Sequence, residues 1–422
     1  MQAVIIAAGE SSRFWPLNQK HKSQFKILGK SLIYWTIKEL SEKDVKEIIV
    51  VSGPNSSMEN ELSSDARELG VTISFIVQEK PLGTGDAISK ARDLIKEPFF
   101  VIWPYKVNIG GIVDKILEKQ KGKPQSVLTC QPTARPKDFG ILRFEGDRVV
   151  EIYENPSSGR EPSRVKVSGT YFLEPDFFDY YQSLKKHHPD DFVDALNIYL
   201  KAKDVVVISS GKEFPSLKYS WEPLGLLREM MSSGKFQGYI SQKAKIGENV
   251  VIKGTVFIGD NAVMGDNTVV TGPCFIGENC KIGASNVLRG PIDLEKGVFT
   301  GSFCELKNCI VQEGTHFHSG YIGDSVIGEN CRFGAGFITA NRRMDRGSIK
   351  VMVKGEKIDT GLTYLGMISG DNSKFGIHAG TMPGVIIGKN CSIGPGTFVF
   401  ENIEDSTIFY SEFKRIKKEF SA

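Results

Sequence analysis

Ile246–Leu288 reads IGENVVIKGTVFIGDNAVMGDNTVVTGPCFIGENCKIGASNVL, and every sixth residue in it is aliphatic: Ile246, Ile252, Ile258, Met264, Val270, Ile276, Ile282 and Leu288. A fixed six-residue period predicts a parallel β-helix, in which each unit makes one flat strand and a corner and its aliphatic residue points inward onto the next coil. Most of these residues are followed by Gly or a small polar pair, as in IGENVV, IGDNAV and IGENCK. The beat breaks near Pro291, then returns at Ile322–Gly336 (IGDSVIGENCRFGAG) and at Ile387–Val399 (IGKNCSIGPGTFV). A solenoid needs this ladder whatever it does. Function must therefore come from the interruptions.

The first 230 residues have a different rhythm. AVIIAAG, KEIIVVSG, TISFIVQ and PFFVIW read as strands, and SLIYWTIKELSEK, SSMENELSSDARELG and TGDAISKARDLI as the helices between them. This alternation predicts a mostly parallel sheet with helices on both faces. Ligands in such folds bind at the carboxyl ends of the strands. EPLGLLREMMSSG then reads as a connecting helix. The expected division is 1–222 for the α/β domain, 223–238 for the connector, 239–405 for the β-helix and 406–422 for a basic tail.

At 422 residues each part is large enough for its own core. The net charge of +3, with Lys and Arg scattered, argues against a nucleic-acid protein. The tail FKRIKKEF (Phe413–Phe420) reads as a solvated basic helix. No apolar run is long enough to span a bilayer, and Met1–Gly9 lacks the features of a signal peptide. The seven Cys form no CxxC pair, and Cys274 and Cys280, one repeat apart, read as small stacked core residues. A reducing cytoplasm is the expected location.

AAGESSRFWPL (Ala7–Leu17) follows the first strand, with Lys22 close behind. The N–H groups of such a turn can cradle phosphate while Arg13 and Lys22 neutralise it. QEKPLGTGDAI (Gln78–Ile88) and the DFGI, ENP and SGTYF segments (Asp138–Phe172) follow in order. Together these resemble the sugar-1-phosphate nucleotidyltransferases. With the repeats attached, about four hundred residues resemble the bifunctional uridyltransferase/acetyltransferases that make UDP-N-acetylglucosamine, of archaeal type.

The resemblance implies an α/β Rossmann-like nucleotidyltransferase domain with a mostly parallel sheet, followed by a left-handed parallel β-helix of hexapeptide repeats. It implies nucleotide or sugar-phosphate contacts from Gly9, Arg13, Lys22, Gln78, Gly83, Thr84, Gly140, Glu154 and Gly169. The departures are informative. Family members place a Gly-Asp pair after the strand that is PFFVIW here, and its Asp binds Mg²⁺; this chain has Trp103-Pro104-Tyr105-Lys106. The second metal-binding Asp follows W-x-P-x; here Trp221-Glu222-Pro223-Leu224 leads to Gly225. The family's Glu-Lys-Pro is Glu154-Asn155-Pro156, and Ser11 replaces a loop glycine. Nucleotidyl transfer accumulates negative charge that a carboxylate-held metal screens. Losing one well-placed electrostatic group costs about a hundredfold or more. The expectation is a domain with no metal site that has lost metal-dependent transfer. Glu222 as a displaced metal ligand, or Lys106 supplying positive charge in place of the ion, is the route by which activity would survive, and Mg²⁺ is expected only if the domain is active.

The repeats are interrupted at GTHFHSGYIGD (Gly314–Asp324), FGAGFITANRRMD (Phe333–Asp345) and KVMVKGEKIDTG (Lys350–Gly361). His318-Ser319-Gly320-Tyr321 and Gly334-Ala335-Gly336…Asn341 match the acetyltransferases' His-x-x-Tyr and GAG…N elements, with the segment before His318 one residue shorter. Acetylating an amine requires a base near neutral pKa and donors for the oxyanion. His318 is the candidate base, with His316 and His378 as alternatives, and the GAG turn is the candidate oxyanion hole. By resemblance, Tyr321 and Asn341 position the sugar and Lys354 meets its phosphate or that of acetyl-CoA. The pantetheine arm would run along Gly376, His378 and Gly388.

The expected protein is an acetyl-CoA-dependent N-acetyltransferase of an amino-sugar 1-phosphate, and the resemblance implies a homotrimer with sites between neighbours. Its small-molecule partners are the sugar phosphate and acetyl-CoA, with a nucleoside triphosphate if the first domain works. Two rival readings are a working bifunctional enzyme and a non-catalytic nucleotide-sugar-binding regulator.

Overall fold

The computed structural model describes residues 1–54, 56–122 and 125–417. They fall into two compact units, Met1–Ser11 with Lys20–Phe25 and Lys30–Ser216, and Ser12–Gln19 with Lys26–Gly29 and Leu217–Ala422. The two short segments that sort with the second unit depart from a single division at residue 222.

In the first unit, Gln2–Ala7 lies parallel to Glu47–Ser52 on one side and to Phe99–Ile102 on the other, and Glu47–Ser52 pairs in parallel with Thr72–Val77. Val165–Leu173 runs antiparallel between Phe99–Ile102 and Val127–Pro132. Val4, Ile5, Val50, Val101 and Ile102 are fully buried, as unbroken apolar strands covered on both faces must be. Ser31 starts the helix Leu32–Ser41 by accepting the Tyr34 N–H. The helix expected over TGDAISKARDLI is shorter: it spans Thr84–Ser89 and is followed by a 3₁₀ turn, Arg92–Leu94. At the break, the Ser89 hydroxyl donates to the Asp86 carbonyl at 2.8 Å, a local bond that competes with continuation.

In the second unit the helix Pro223–Ser232 leads into the solenoid, whose first strand is Tyr239–Ile240 and whose last is Ile408–Phe409, beyond the expected limit of 405. Strands one coil apart pair in parallel, as Val256↔Cys274 and Ile258↔Ile276 do, so three six-residue units make one coil of the left-handed β-helix that hexapeptide repeats form. Ile258, Met264, Val270, Ile276, Ile282 and Leu288 are buried, as are all seven Cys. Ile246 departs from the expectation at 41% exposed, because it lies in the first coil and has no earlier coil to cover it. The Asn of the corner pairs has a structural purpose: Asn249, Asn261, Asn267 and Asn279 adopt φ between 56° and 59°, which Asn tolerates better than most residues. A Cβ on Gly265 would stand 2.6 Å from the Ala284 nitrogen of the next coil, so stacking excludes a side chain there.

Further along, aromatics replace the aliphatic ladder. Phe317, Phe333 and Phe375 stack with centroids 4.6 and 4.4 Å apart. The pairing Phe333↔Phe375 skips a long excursion that contains the antiparallel hairpin Lys350–Val353 with Glu356–Asp359. The coil that ends at His316 is one residue shorter than the coil before it, since Lys281 stands opposite Phe299 and Phe299 opposite His316. The tail corrects the sequence reading, since residues 411–417 form no helix; Ser411 N–H instead donates to Thr397 Oγ1 at 3.0 Å. The rest of FKRIKKEF lies outside the described residues.

Candidate functional sites

The carboxyl ends of Gln2–Ala7 and Phe99–Ile102 open into a cleft of about 360 Å³. Gly9, Lys22, Gln78, Gly83 and Thr84, all expected from sequence, line it together with His21, Trp103 and Tyr105, which were not. Ser11 Oγ accepts the Lys22 N–H at 3.0 Å. The buried Gln78 amide donates to the Gly83 carbonyl at 3.0 Å and to Asp86 at 2.8 Å, fixing the PLGTG turn. Gly83 is obligatory there: its φ is 109° and a Cβ would meet the Pro189 carbonyl oxygen at 2.3 Å. Burial, then the neighbouring Lys22, lowers the His21 pKa to about 3, so this ring is neutral. Its position just before Lys22 was the one sequence signal for it.

Arg13, Gly140, Glu154 and Gly169 do not line the cleft. Arg13 is exposed on the 3₁₀ turn Ser12–Phe14. Gly140 lies against the Glu154 carboxylate, and Gly169 packs under Trp103 and Lys106. The residues present do not fit the Mg²⁺ that the resemblance implies. The strand end supplies Trp103, Pro104 and Tyr105 to the lining, and no group of three His, Cys, Asp or Glu among the described residues could hold a metal. In the second unit, the Glu222 carboxylate accepts the Lys218 and Tyr219 N–H groups, which commits it to its own turn.

The second site is built on one outward row of the solenoid, Val251↔Val269↔Val287↔Glu305↔Tyr321↔Ile338. The adjoining row sets Arg289, Lys307 and Gly323 side by side. Asn341 donates to Tyr321 Oη at 3.0 Å and to Asp324 at 2.6 Å. Asn308 and Lys307 also donate to this buried Asp324, at 2.6 and 3.3 Å. The Lys307 ammonium and the Arg342 guanidinium lie 4.6 and 4.7 Å from the centroid of the Tyr364 ring. Burial, then Asp324, raises the Tyr321 pKa, so the phenol stays protonated. Lys307, Arg289 and Asp324 were missed in the sequence because only the coil register brings them together.

His318 is exposed at the corner that leads to Tyr321. His316 packs on Phe299 at 5.2 Å between ring centroids, and burial, then Arg332, lowers its pKa. The His378 ring lies over Gly336, whose N–H donates to Ser319 Oγ at 3.1 Å. The Gly334 N–H is spent on the Phe375 carbonyl at 2.8 Å, which leaves Ala335 to supply the free amide of the GAG turn. Gly376 and Gly388 pack closely under the following coil, against Pro395 and Asp405. Lys354, at the hairpin tip, donates to Ser12 Oγ at 2.7 Å.

A mostly parallel sheet with a phosphate-type loop, joined to hexapeptide coils bearing a His-Tyr-Asn corner, defines a nucleotidyltransferase–acyltransferase fusion. Residues 2–237 match the Nucleotidyl transferase family, and 255–289 and 368–401 match the Hexapeptide repeat of succinyl-transferase family. The bifunctional protein GlmU of Methanococcus maripaludis is 34% identical over 98% of this chain and 98% of its own length. The bifunctional sugar-1-phosphate nucleotidylyltransferase/acetyltransferase of Sulfurisphaera tokodaii is 30% identical over 99% of this chain and 100% of its own. The chain belongs to this bifunctional, GlmU-type family. A Bacillus anthracis structure described as a glucose-1-phosphate thymidylyltransferase shares the fold, with TM-score 0.50 and 21% identity over 55% of this chain and 96% of that one. Among the described residues no helix is long and apolar enough to cross a membrane.

Proposed function

We propose that this chain is a cytoplasmic, acetyl-CoA-dependent N-acetyltransferase of an amino-sugar 1-phosphate, whose first unit has lost metal-dependent nucleotidyl transfer. The observation that carries this reading is the Tyr321–Asn341–Asp324 cluster, in the coil that also carries the exposed His318, with the GAG turn tied to the neighbouring Ser319. Tyr321 and Asn341 orient the sugar, while Lys307 and Arg289 face its phosphate. His318 takes a proton from the substrate ammonium, and the freed nitrogen attacks the thioester carbonyl. The Ala335 N–H stabilises the oxyanion. His318, its first proton released to solvent, takes the second proton from the nitrogen of the tetrahedral intermediate. The C–S bond then breaks and the leaving thiolate takes that proton from the imidazolium, leaving a neutral amide. Coenzyme A lies along the coils of Gly376, His378 and Gly388.

A homotrimer completes the site. The row that holds Tyr321 also exposes Val251, Val287 and Ile338, at 42%, 37% and 50%. A neighbouring copy laid on that row would cover the apolar residues and close over the sugar.

The test is coenzyme A release across a panel of amino-sugar 1-phosphates. No release with any of them overturns the reading. The relatives' bifunctional names favour a second reading in which the first unit also works. Pyrophosphate release from UTP or dTTP, abolished by EDTA, would establish it.

A further inference from the structure

Resting on the acetyl-transfer reading above, we infer that Arg342 is the residue that selects a phosphorylated amino sugar over the free sugar in the second unit's site. Arg342 belongs to the long excursion between Phe333 and Phe375, not to the coils that carry Lys307 and Arg289. Acceptor choice is thereby assigned to the excursion, and sugar positioning and proton transfer to the solenoid.

The base of the excursion is pinned to the site by its own backbone. Leu365 N–H donates to the Asn341 carbonyl at 2.9 Å, and Gly366 N–H to the Asp324 carbonyl at 2.8 Å. Asn341 in turn holds the Tyr321 phenol. Arg342 and Tyr364 are the next residues along from this pinned pair, so they stand one residue from the side chains that would position the sugar. The Tyr364 ring is 40% exposed and has the Lys307 ammonium and the Arg342 guanidinium 4.6 and 4.7 Å from its centroid. A ring holds a cation through its electron-rich face without neutralising it.

The partners of the three cations rank them. Arg289 is paired with Glu305. Lys307 shares its charge with the buried Asp324 at 3.3 Å. Among the described residues Arg342 has no carboxylate partner, and its Nε is buried with no hydrogen-bond acceptor. A buried N–H is normally satisfied, so this guanidinium is one that the protein itself leaves uncompensated. A cation already paired offers an incoming anion little net charge. An unpaired guanidinium offers its full charge, and its planar fork matches two phosphate oxygens at once. A sugar with a hydroxyl in place of the phosphate gains none of this.

The test uses the full chain in calorimetric titrations with glucosamine 1-phosphate, galactosamine 1-phosphate and the two parent amino sugars, alongside coenzyme A release with each. The wild type should favour the phosphate esters in both Kd and kcat/KM. Arg342→Met keeps the stem against the Tyr364 ring and removes the charge. It should cut that preference about tenfold or more, through KM rather than kcat. Arg342→Lys, which keeps the charge and loses the fork, should recover part of the loss. A preference unchanged in Arg342→Met, equal weakening of the esters and the parent sugars, or no binding of either ester by the wild type overturns the inference. If an ester binds in a manner that depends on Arg342 and no coenzyme A is released, selection by Arg342 stands and the acetyl-transfer reading falls.

Discussion

The side-chain amide of Asn341 donates at once to the Tyr321 phenol, 3.0 Å away, and to the buried Asp324 carboxylate, 2.6 Å away. One side chain therefore fixes both the aromatic that would face the sugar and the acid that anchors the site. The Asp324 network continues through Asn308 to Arg228 on the connecting helix, at 3.4 Å. Asn341→Ala removes a donor from a buried carboxylate at a cost of about 1–3 kcal/mol. The expected outcome is a KM for the sugar phosphate raised about tenfold, with kcat reduced less, read from coenzyme A release.

His318→Ala should lower kcat by about 10²–10⁴-fold, the usual range for losing a general base. His316 packs on Phe299, so His316→Ala should act on melting temperature rather than on rate. If His378→Ala gives the large rate loss and His318→Ala does not, the base assignment moves to His378.

Asp293 and Glu295 are both buried and accept the Leu28 and Gly29 N–H groups at 3.0 and 2.9 Å. Burial, then the neighbouring Glu295, raises the Asp293 pKa. Burial raises that of Glu295 to about 7, against the lowering effects of the Gly29 N–H, Lys26 and its hydrogen bond with Asp293, and Lys26 and Glu313 stand at the same edge. Their folded values lie above the unfolded ones, about 3.9 and 4.3. The native state therefore keeps a proton that the unfolded chain releases. Stability from this pair is full below about pH 4 and declines as pH rises through the native values. Melting temperature should fall between about pH 5 and 8, and Asp293→Asn should flatten that fall.

Phe333 stacks between Phe317 and Phe375 inside the coils that carry the site. Truncating it leaves a cavity that the rigid coils on either side cannot close. Phe333→Ala should cost about 3–5 kcal/mol, measured by denaturant unfolding, and should depress acetyl transfer by loosening the His318 corner.

Light scattering of the full chain should give three times the protomer mass. Ile338→Asp places a carboxylate on the exposed apolar row next to Tyr321. It should yield a monomer that has lost acetyl transfer. A fully active monomer would remove the shared-site reading.

Ile246–Leu288 determined the solenoid by itself, because a six-residue ladder has one way to bury its aliphatic side chains. The alternating strands of the first unit were legible for the same reason, their apolar runs being long enough to need cover on both faces. Gly9, Lys22, Gln78, Gly83 and Thr84 were readable because they belong to local loops whose order along the chain survives in the sequence. His318, Tyr321 and Asn341 stood out as two short local elements, and the structure brings Tyr321 and Asn341 into hydrogen-bond contact. Tertiary structure decided the rest. Lys307 and Arg289 join the site only because coils stack in register, and Lys354 turns to Ser12 because its hairpin projects from the coils. Lys22 reaches the Tyr105 ring only because folding brings its 3₁₀ turn to the end of a distant strand. Local periodicity is written in neighbouring residues, whereas the field at a site is a sum over groups that folding alone brings within reach.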